Sequence, residues 1–217
     1  ARHSPESIKI DTPSATIGVR GTDFTLTVDE LGRTLAILLP SCPPGFKDIE
    51  KDHSRLIIPL IDQDKNFFGL QGRSLGKIEP KYITIVVDES KPKVYGLDSV
   101  DFSKNVYVFE GPIDSMFIPN ALAMQGAKWI DELPEKIRKS NVVFIFDNEP
   151  RNEEVVNIIG KYIDAGRNVV IWPEDINKKD INDIVKVYGV PTMLKLVINN
   201  VYSGLKAKMK YTYWKKV

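Results

Sequence analysis

Two short apolar runs end abruptly in acidic side chains. The run VYVF is followed by Glu110, and the run VVFIF is followed by Asp147 and, two positions later, Glu149. Short runs rich in β-branched and aromatic residues are typical of strands buried within a parallel sheet. Because the carboxyl ends of neighbouring parallel strands open into one crevice, we expect these three carboxylates to lie together. Their mutual repulsion predicts a divalent cation held through oxygen, Mg²⁺ or Mn²⁺.

Other polar residues lie close to these acids in the chain. Asp114 follows Glu110 by four positions, at the predicted turn from strand to helix. Arg151 and Asn152 directly follow the second acidic run, where they would contact a phosphate group or hold the carboxylates. We therefore predict Glu110, Asp147 and Glu149 as catalytic acids and metal ligands, with Asp114 as a further ligand.

The composition limits the possible functions. The chain has 217 residues, of which 42% are hydrophobic and 27% charged, as is ordinary for a protein that buries a core. A formal net charge of +1 excludes a uniformly basic nucleic-acid coat, so any basic surface is local. The single cysteine, Cys42, excludes an intramolecular disulfide and a cysteine-rich zinc site. With no apolar run near the roughly 18 residues of a membrane span, we expect a cytoplasmic protein without a membrane partner.

Strand and helix patterns alternate along the central part of the chain, which predicts an α/β fold with a parallel sheet flanked by helices. The predicted strands are 105–109, 142–146 and 168–172. The predicted helices are 114–125, one within 127–140, 151–165 and 180–188.

The first 42 residues differ in character from the rest. Their alternating apolar and polar residues predict a β-hairpin of strands 23–28 and 33–39, joined by a turn at 29–32. The strings TPSAT and GVRGTDF resemble the signature of FecR-type β domains. The alternative is a solvated hairpin without chemistry. Because proline and glycine at 41–45 interrupt both strand and helix, we place a boundary there and infer that two unrelated segments meet.

The acidic runs and the segments before them resemble a known enzyme family. The patterns E-G-x-x-D at 110–114 and D-N-E at 147–149 resemble the Toprim domain of primases, topoisomerases and related nucleases. The order LIIPLID, GLQGRSL, PKYITI and VYGLD is similar to the small α+β subdomain that precedes Toprim in primases. This resemblance implies that Arg73 and Lys81 contact template phosphate and incoming nucleotide. The run KKDINDI resembles a primase element, which implies Asp180, Asn182 and Asp183 as candidates for the outer ligands of the metal.

The resemblance implies a DNA primase catalytic fragment of the phage type. It would join ribonucleoside triphosphates into short RNA primers on single-stranded DNA by two-metal nucleotidyl transfer, alongside a replicative helicase in the host cytoplasm. The chain shows no zinc-binding module and no G-x-x-x-x-G-K motif. The family pattern D-x-D is D-N-E here, which keeps two acids. The alternative function is a non-catalytic nucleic-acid-binding or assembly module.

The last twelve residues, KAKMKYTYWKKV, combine five lysines with three aromatic residues and no acid. Their alternation predicts a strand with one basic face, in which Lys206, Lys208, Lys210 and Trp214 bind single-stranded nucleic acid. The alternative is an edge strand that lysines protect from aggregation. The predicted organisation is a FecR-like β segment (1–42), a partial primase-core subdomain (43–104), a Toprim domain (105–190) and a basic tail (191–217).

Overall fold

The computed structural model describes residues 55–77, 79–124, 135, 137 and 141–217, together with the backbone of four strands before them. The chain divides into two compact units. The first comprises Ala1–Lys91 and Gly96–Ser99, and the second comprises Pro92–Tyr95 and Val100–Val217.

The first unit is built from antiparallel strands. Strands β1 (Ile8–Asp11) and β2 (Thr16–Val19) form a pair of their own. A five-stranded sheet follows in the order β3-β4-β5-β6-β7, and its neighbouring strands are all antiparallel. These strands are β3 (Phe24–Val28), β4 (Thr34–Leu38), β5 (Arg55–Ile61), β6 (Phe67–Ser74) and β7 (Tyr82–Val86). The hairpin predicted within the first 42 residues is therefore confirmed as β3 and β4.

The five-stranded sheet crosses the boundary predicted at 41–45. Strand β4 pairs with β5, so that Ala36 lies opposite Ile57 and Leu38 opposite Arg55. The predicted boundary therefore does not separate two sheets, because the backbone of β4 hydrogen-bonds directly to the first strand of the following segment. A local Pro-Pro-Gly sequence marks a break in regular structure and carries no information about which strands pair across it.

The second unit is an α/β layer structure with a mostly parallel six-stranded sheet, in the order β13-β12-β11-β9-β10-β8. Its four central strands are parallel to one another: β9 (Val106–Phe109), β10 (Ala121–Met124), β11 (Val142–Ile145) and β12 (Asn168–Val170). The short edge strands β8 (Val94–Tyr95) and β13 (Val201–Tyr202) run antiparallel. The predicted α/β fold is confirmed, although both edge strands come from outside the predicted limits of 105–190.

Four helices have defined bounds within the second unit: α1 (Pro112–Ser115), α2 (Glu153–Asp164), α3 (Ile181–Asn199) and α4 (Gly204–Trp214). Helix α2 buries one face, where Tyr162 packs against the rings of Phe144 and Phe146 at centroid distances of 4.4 and 5.2 Å. Helix α3 bends at Gly189, whose φ of 77° belongs to the left-handed region. Among the described residues, no helix is long and apolar enough to span a membrane.

Two predicted elements are wrong. The run 114–125 is not one helix, because α1 ends at Ser115 and Ala121–Met124 forms strand β10. Asn120 adopts a left-handed φ of 56°, which a continuing helix excludes. A four-residue apolar run fits a buried strand or a buried helix equally well by periodicity. The tail is helix α4, where positions spaced by two do not share a face. The helix predicted within 127–140 lies mostly outside the described residues.

Candidate active site

The ends of β9 and β11 bring the predicted acids together. In the parallel register, Phe109 lies beside Ile145, so Glu110 and Asp147 follow at the same edge of the sheet. Both line a small pocket with Asp114 from helix α1. The structure thus brings three predicted acids to one place, as the strand pattern predicts.

The acids at this edge interact electrostatically. Burial raises the pKa of Asp147 to about 7, and the negative charges of Glu110 and Asp114 add to that effect. Although its side chain is partly exposed to solvent, Glu110 also has a raised pKa, first through loss of hydration and then through the charge of Glu149. The carboxylates of Glu110 and Asp147 are therefore costly to ionise here, which is the condition that favours cation binding.

Lys179 forms ion pairs with two of the predicted catalytic acids. Its Nζ lies 3.1 Å from Oε1 of Glu149 and 3.7 Å from Oδ2 of Asp147. The hydrogen bond to Glu149 is the main cause that raises the pKa of Lys179. Sequence reasoning did not select this residue; the only local signal was its position directly before Asp180 in the KKDINDI run.

The N-terminus of α3 holds Asp180 and contacts Asp114. Asp180 caps the helix, and its Oδ1 accepts a hydrogen bond from the backbone N–H of Asp183 at 2.8 Å. The backbone N–H of Asn182 donates to Oδ1 of Asp114 at 3.0 Å. Asp180 also contributes to the raised pKa of Asp147, so its charge acts at the same edge. The cap therefore connects α1 and α3 with residues 147–149, which are called the acid-bearing loop below.

Asn148 holds the acid-bearing loop in place. Its backbone N–H donates to the carbonyl oxygen of Lys179 at 2.6 Å, and its Nδ2 donates to the carbonyl oxygens of Ile176 and Lys178 at 2.8 and 3.1 Å. Its Oδ1 accepts from Nε1 of Trp214, 66 residues away, at 2.9 Å. These hydrogen bonds fix Asn148 between two acids.

Asn152 and Arg151 differ in their surroundings. Asn152 caps helix α2, with its Oδ1 accepting from the backbone N–H groups of Glu154 and Val155. Its Nδ2 donates to Oε2 of Glu149 at 3.4 Å, so it contacts a predicted catalytic acid. Arg151 is exposed, and its role stays a prediction.

The donor set suits a hard divalent cation, because it consists of carboxylate oxygens. Among the described residues, however, no group of three or more Asp, Glu, His or Cys side chains is arranged to hold a metal ion as it stands. Lys179 lies between two of the acids instead. The chemistry of the residues fits Mg²⁺ or Mn²⁺, and its binding requires these side chains to adjust.

Arg73 and Lys81 come together in the first unit, around one tyrosine. Strand β6 places Arg73 opposite Tyr82 of β7, and Nη1 of Arg73 donates to the Tyr82 hydroxyl at 3.0 Å. Both cations lie 5.5 Å from the centroid of the Tyr82 ring. The predicted phosphate ligands thus share a cation–π centre.

The four tail residues do not share one surface. The Nζ atoms of Lys206 and Lys210 lie 5.3 and 5.8 Å from the centroid of the Tyr202 ring. Lys208 instead forms an ion pair of 2.8 Å with Asp164. Trp214 is buried, with 5% of its surface exposed. The predicted single basic face is wrong. The tail is helical, so Lys206 and Lys210 share a face and Lys208 lies on a different one.

The comparisons with known proteins agree in sequence and in fold. A curated DNA primase of Enterobacteria phage T4 is 36% identical over 185 residues, which cover 83% of this chain and 53% of the relative. The chain thus spans about half the length of that relative. No protein-family model matches the chain, and the FecR-like resemblance stays a prediction.

Three solved structures share the fold at low sequence identity. The Aquifex aeolicus primase (zinc-binding and RNA polymerase domains) matches with a TM-score of 0.57 at 18% identity, over 81% of this chain and 51% of that chain. The E. coli primase catalytic core gives 0.54 at 17%, over 87% and 59%. A DnaG primase catalytic domain bound to single-stranded DNA gives 0.52 at 18%, over 68% and 52%. The chain is thus similar to a DNA primase in sequence and to primase catalytic cores in fold.

Proposed function

We propose that the chain is the catalytic core of a DNA primase, which makes short RNA primers on single-stranded DNA with Mg²⁺ or Mn²⁺. One observation carries this proposal. Glu110 and Asp147 end adjacent parallel strands and share a pocket with Asp114, within a fold similar to primase catalytic cores. The relative of known function is itself a DNA primase.

The proposed ligands of the cation are Glu110, Asp147 and Glu149, with Asp114 and Asp180 as further ligands. When bound, the cation would activate the attacking 3′ hydroxyl and neutralise charge on the triphosphate. The protein itself positions the reacting groups, since phosphoryl transfer asks little covalent chemistry of side chains. The hydrogen bonds of Asn148 keep the acid-bearing loop in one conformation.

The phosphate-binding role belongs to Arg73 and Lys81. The guanidinium group of Arg73 offers a planar fork for phosphate oxygens, and Lys81 is an exposed point charge. Replacing Lys81 with alanine should weaken binding of single-stranded DNA, and the loss should shrink as salt rises. Lys77→Ala, which removes another exposed lysine of the same unit, is the control.

The deciding experiment is primer synthesis from radiolabelled ribonucleotides on single-stranded DNA, with the replicative helicase supplied. Labelled oligonucleotides should form with the native chain and disappear with Glu110→Gln, which keeps the side-chain shape and removes the charge. If the native chain binds DNA and incorporates no label under any divalent cation, the chain is a binding or assembly module instead.

A further inference from the structure

An open cleft lies beside the acid-bearing edge, within the second unit. It has a volume of about 480 Å³, within the roughly 300–1,000 Å³ range of ligand sites. Its walls come from the loop after β12, from β13 and from helix α4. Four of its lining residues are aromatic: Trp172, Tyr202, Tyr213 and Trp214. The cleft is therefore rich in flat apolar surface, although it is open to solvent.

The two tryptophans build the cleft and are not free to bind by hydrogen bonding. Nε1 of Trp172 donates to the carbonyl oxygen of Phe146, and Nε1 of Trp214 donates to Oδ1 of Asn148, both at 2.9 Å. Both side chains are at most 5% exposed. These bonds end in the residues directly before and after Asp147, so the cleft is connected rigidly to the acid-bearing loop.

The tyrosines and lysines are the groups available to a ligand. Tyr213 is 70% exposed, which is a large exposed area for an aromatic ring. Lys206 and Lys210 lie on the ring of Tyr202, and among the described residues neither forms an ion pair with a carboxylate. Exposed aromatic rings beside unpaired ammonium groups suit a planar base joined to a phosphate.

The acids of the cleft restrict how such a ligand could lie. Glu174 is paired with Lys216 at 3.2 Å, so its charge is compensated. Asp175 is exposed and has no lysine partner among the described residues. Asp175 would repel a phosphate group, so the phosphate of the ligand would lie on the side of Lys206 and Lys210.

We propose that this cleft binds one unpaired nucleotide of single-stranded DNA, with its base against Tyr213 and its phosphate near Lys206 and Lys210. The inference rests on the proposed primase function, because the template must reach the acid-bearing edge in single-stranded form. Trp172 follows β12, the parallel neighbour of β11, so the cleft opens at the sheet edge that carries Asp147.

The first test locates the DNA. An oligodeoxythymidine that carries one 5-iodo-deoxyuridine is photocrosslinked to the chain in EDTA, and the attached peptide is identified by mass spectrometry. The expected attachment is at Tyr213 or Tyr202. Attachment confined to residues outside 171–214 would overturn the proposal. Loss of the crosslink when millimolar ATP is present during irradiation would also overturn it, because the cleft would then take a free nucleotide.

The second test measures affinity by fluorescence anisotropy of the same oligonucleotide in EDTA. Tyr213→Ala should weaken binding about 5- to 160-fold, the range for loss of one stacked base, and Tyr213→Phe should bind like the native chain. Lys210→Gln should weaken binding at low salt and less at high salt. The matched control is Lys104→Gln, since Lys104 precedes β9 and lies at the opposite edge of the sheet. Equal affinities of Tyr213→Ala and native chain would overturn the proposal.

The two proposals fail in different ways. Asp147→Asn should abolish primer synthesis and keep the crosslink at Tyr213, because the cleft does not need the acid. If the native chain makes no primers and still crosslinks at Tyr213, the cleft proposal survives and the catalytic proposal does not. If primers form while the crosslink lies elsewhere, the reverse holds.

Discussion

Replacing Asp147 with asparagine should stabilise the protein at neutral pH in the absence of divalent cations. The folded state raises the pKa of Asp147 from 3.8 to about 7, because the side chain is removed from water beside Glu110 and Asp114. Its carboxylate is 27% exposed and lies 3.7 Å from Lys179, which compensates the charge only in part. An asparagine keeps the size of the side chain and carries no charge to bury.

The size of the effect follows from linkage. Below pH 4 the carboxyl group is protonated in both the folded and the unfolded state, so the substitution should change little. Between pH 4 and pH 7 the unfolded state loses its proton first, and the native chain loses about 1.4 kcal/mol of stability per pH unit. The gain of Asp147→Asn should therefore rise to about 4 kcal/mol at most above pH 7.

The assay is urea unfolding at pH 4.5, 6 and 8 in EDTA, with Asp164→Asn as the control. Asp164 is 72% exposed, so its charge is hydrated in both states and its removal should give no gain that grows with pH. Mg²⁺ should reduce the gain of Asp147→Asn, since a cation at ten times its Kd stabilises the native chain by about 1.4 kcal/mol. A native chain more stable than Asp147→Asn at pH 8 in EDTA would refute this account of the acids.

Three further outcomes are expected. Glu110→Gln should abolish primer synthesis with less than a twofold change in DNA affinity, as measured by fluorescence anisotropy. If the variant lost its DNA affinity as well, the acids would be structural. Lys179→Met should bind Mg²⁺ about 2- to 5-fold more tightly by calorimetry, because it removes an ammonium group that competes for the acids with the strength of one exposed ion pair. Lys178→Met should bind Mg²⁺ like the native chain. Weaker binding in Lys179→Met would mean that the lysine organises the site. Gly160→Ala should lower the free energy of unfolding by about 1–3 kcal/mol, because its Cβ would lie 2.9 Å from the Tyr211 hydroxyl; an unchanged urea midpoint would contradict that packing.

Much of the candidate site could be predicted because it depends on local signals. Glu110 and Asp147 each follow a run of buried apolar residues, and parallel strands bring their carboxyl ends to one edge whatever lies between them. Asn152 and Asp180 also carry a local signal, since each precedes a helix as its cap. The prediction for Glu110 and Asp147 required no knowledge of which distant residues meet, whereas the capping roles of Asn152 and Asp180 were not predicted.

Features that depend on distant contacts could not be predicted. The bond from Trp214 to Asn148 joins positions 66 residues apart, and no periodicity connects them. The tail became a helix because its burial is decided by tertiary packing: Tyr211 donates to the carbonyl oxygen of Val156 at 2.8 Å, on helix α2. Strand β10 was missed since its four apolar residues fit either a strand or a helix until a neighbouring strand is known.

The contacts of the tail connect the two proposals. Helix α4 supplies Trp214 to the acid-bearing loop and Tyr213 to the cleft, one residue apart. A base bound against Tyr213 would therefore press on the helix that also fixes Asn148, between Asp147 and Glu149.

Asn148→Ala would break this link by removing the acceptor of Trp214 and the donor to the carbonyl oxygens of Ile176 and Lys178. Template binding at the cleft and cation binding at the acids should consequently be coupled in the native chain and independent in Asn148→Ala, as measured by Mn²⁺ affinity with and without oligonucleotide. Identical Mn²⁺ affinities of the native chain in both conditions would show that the shared helix transmits nothing.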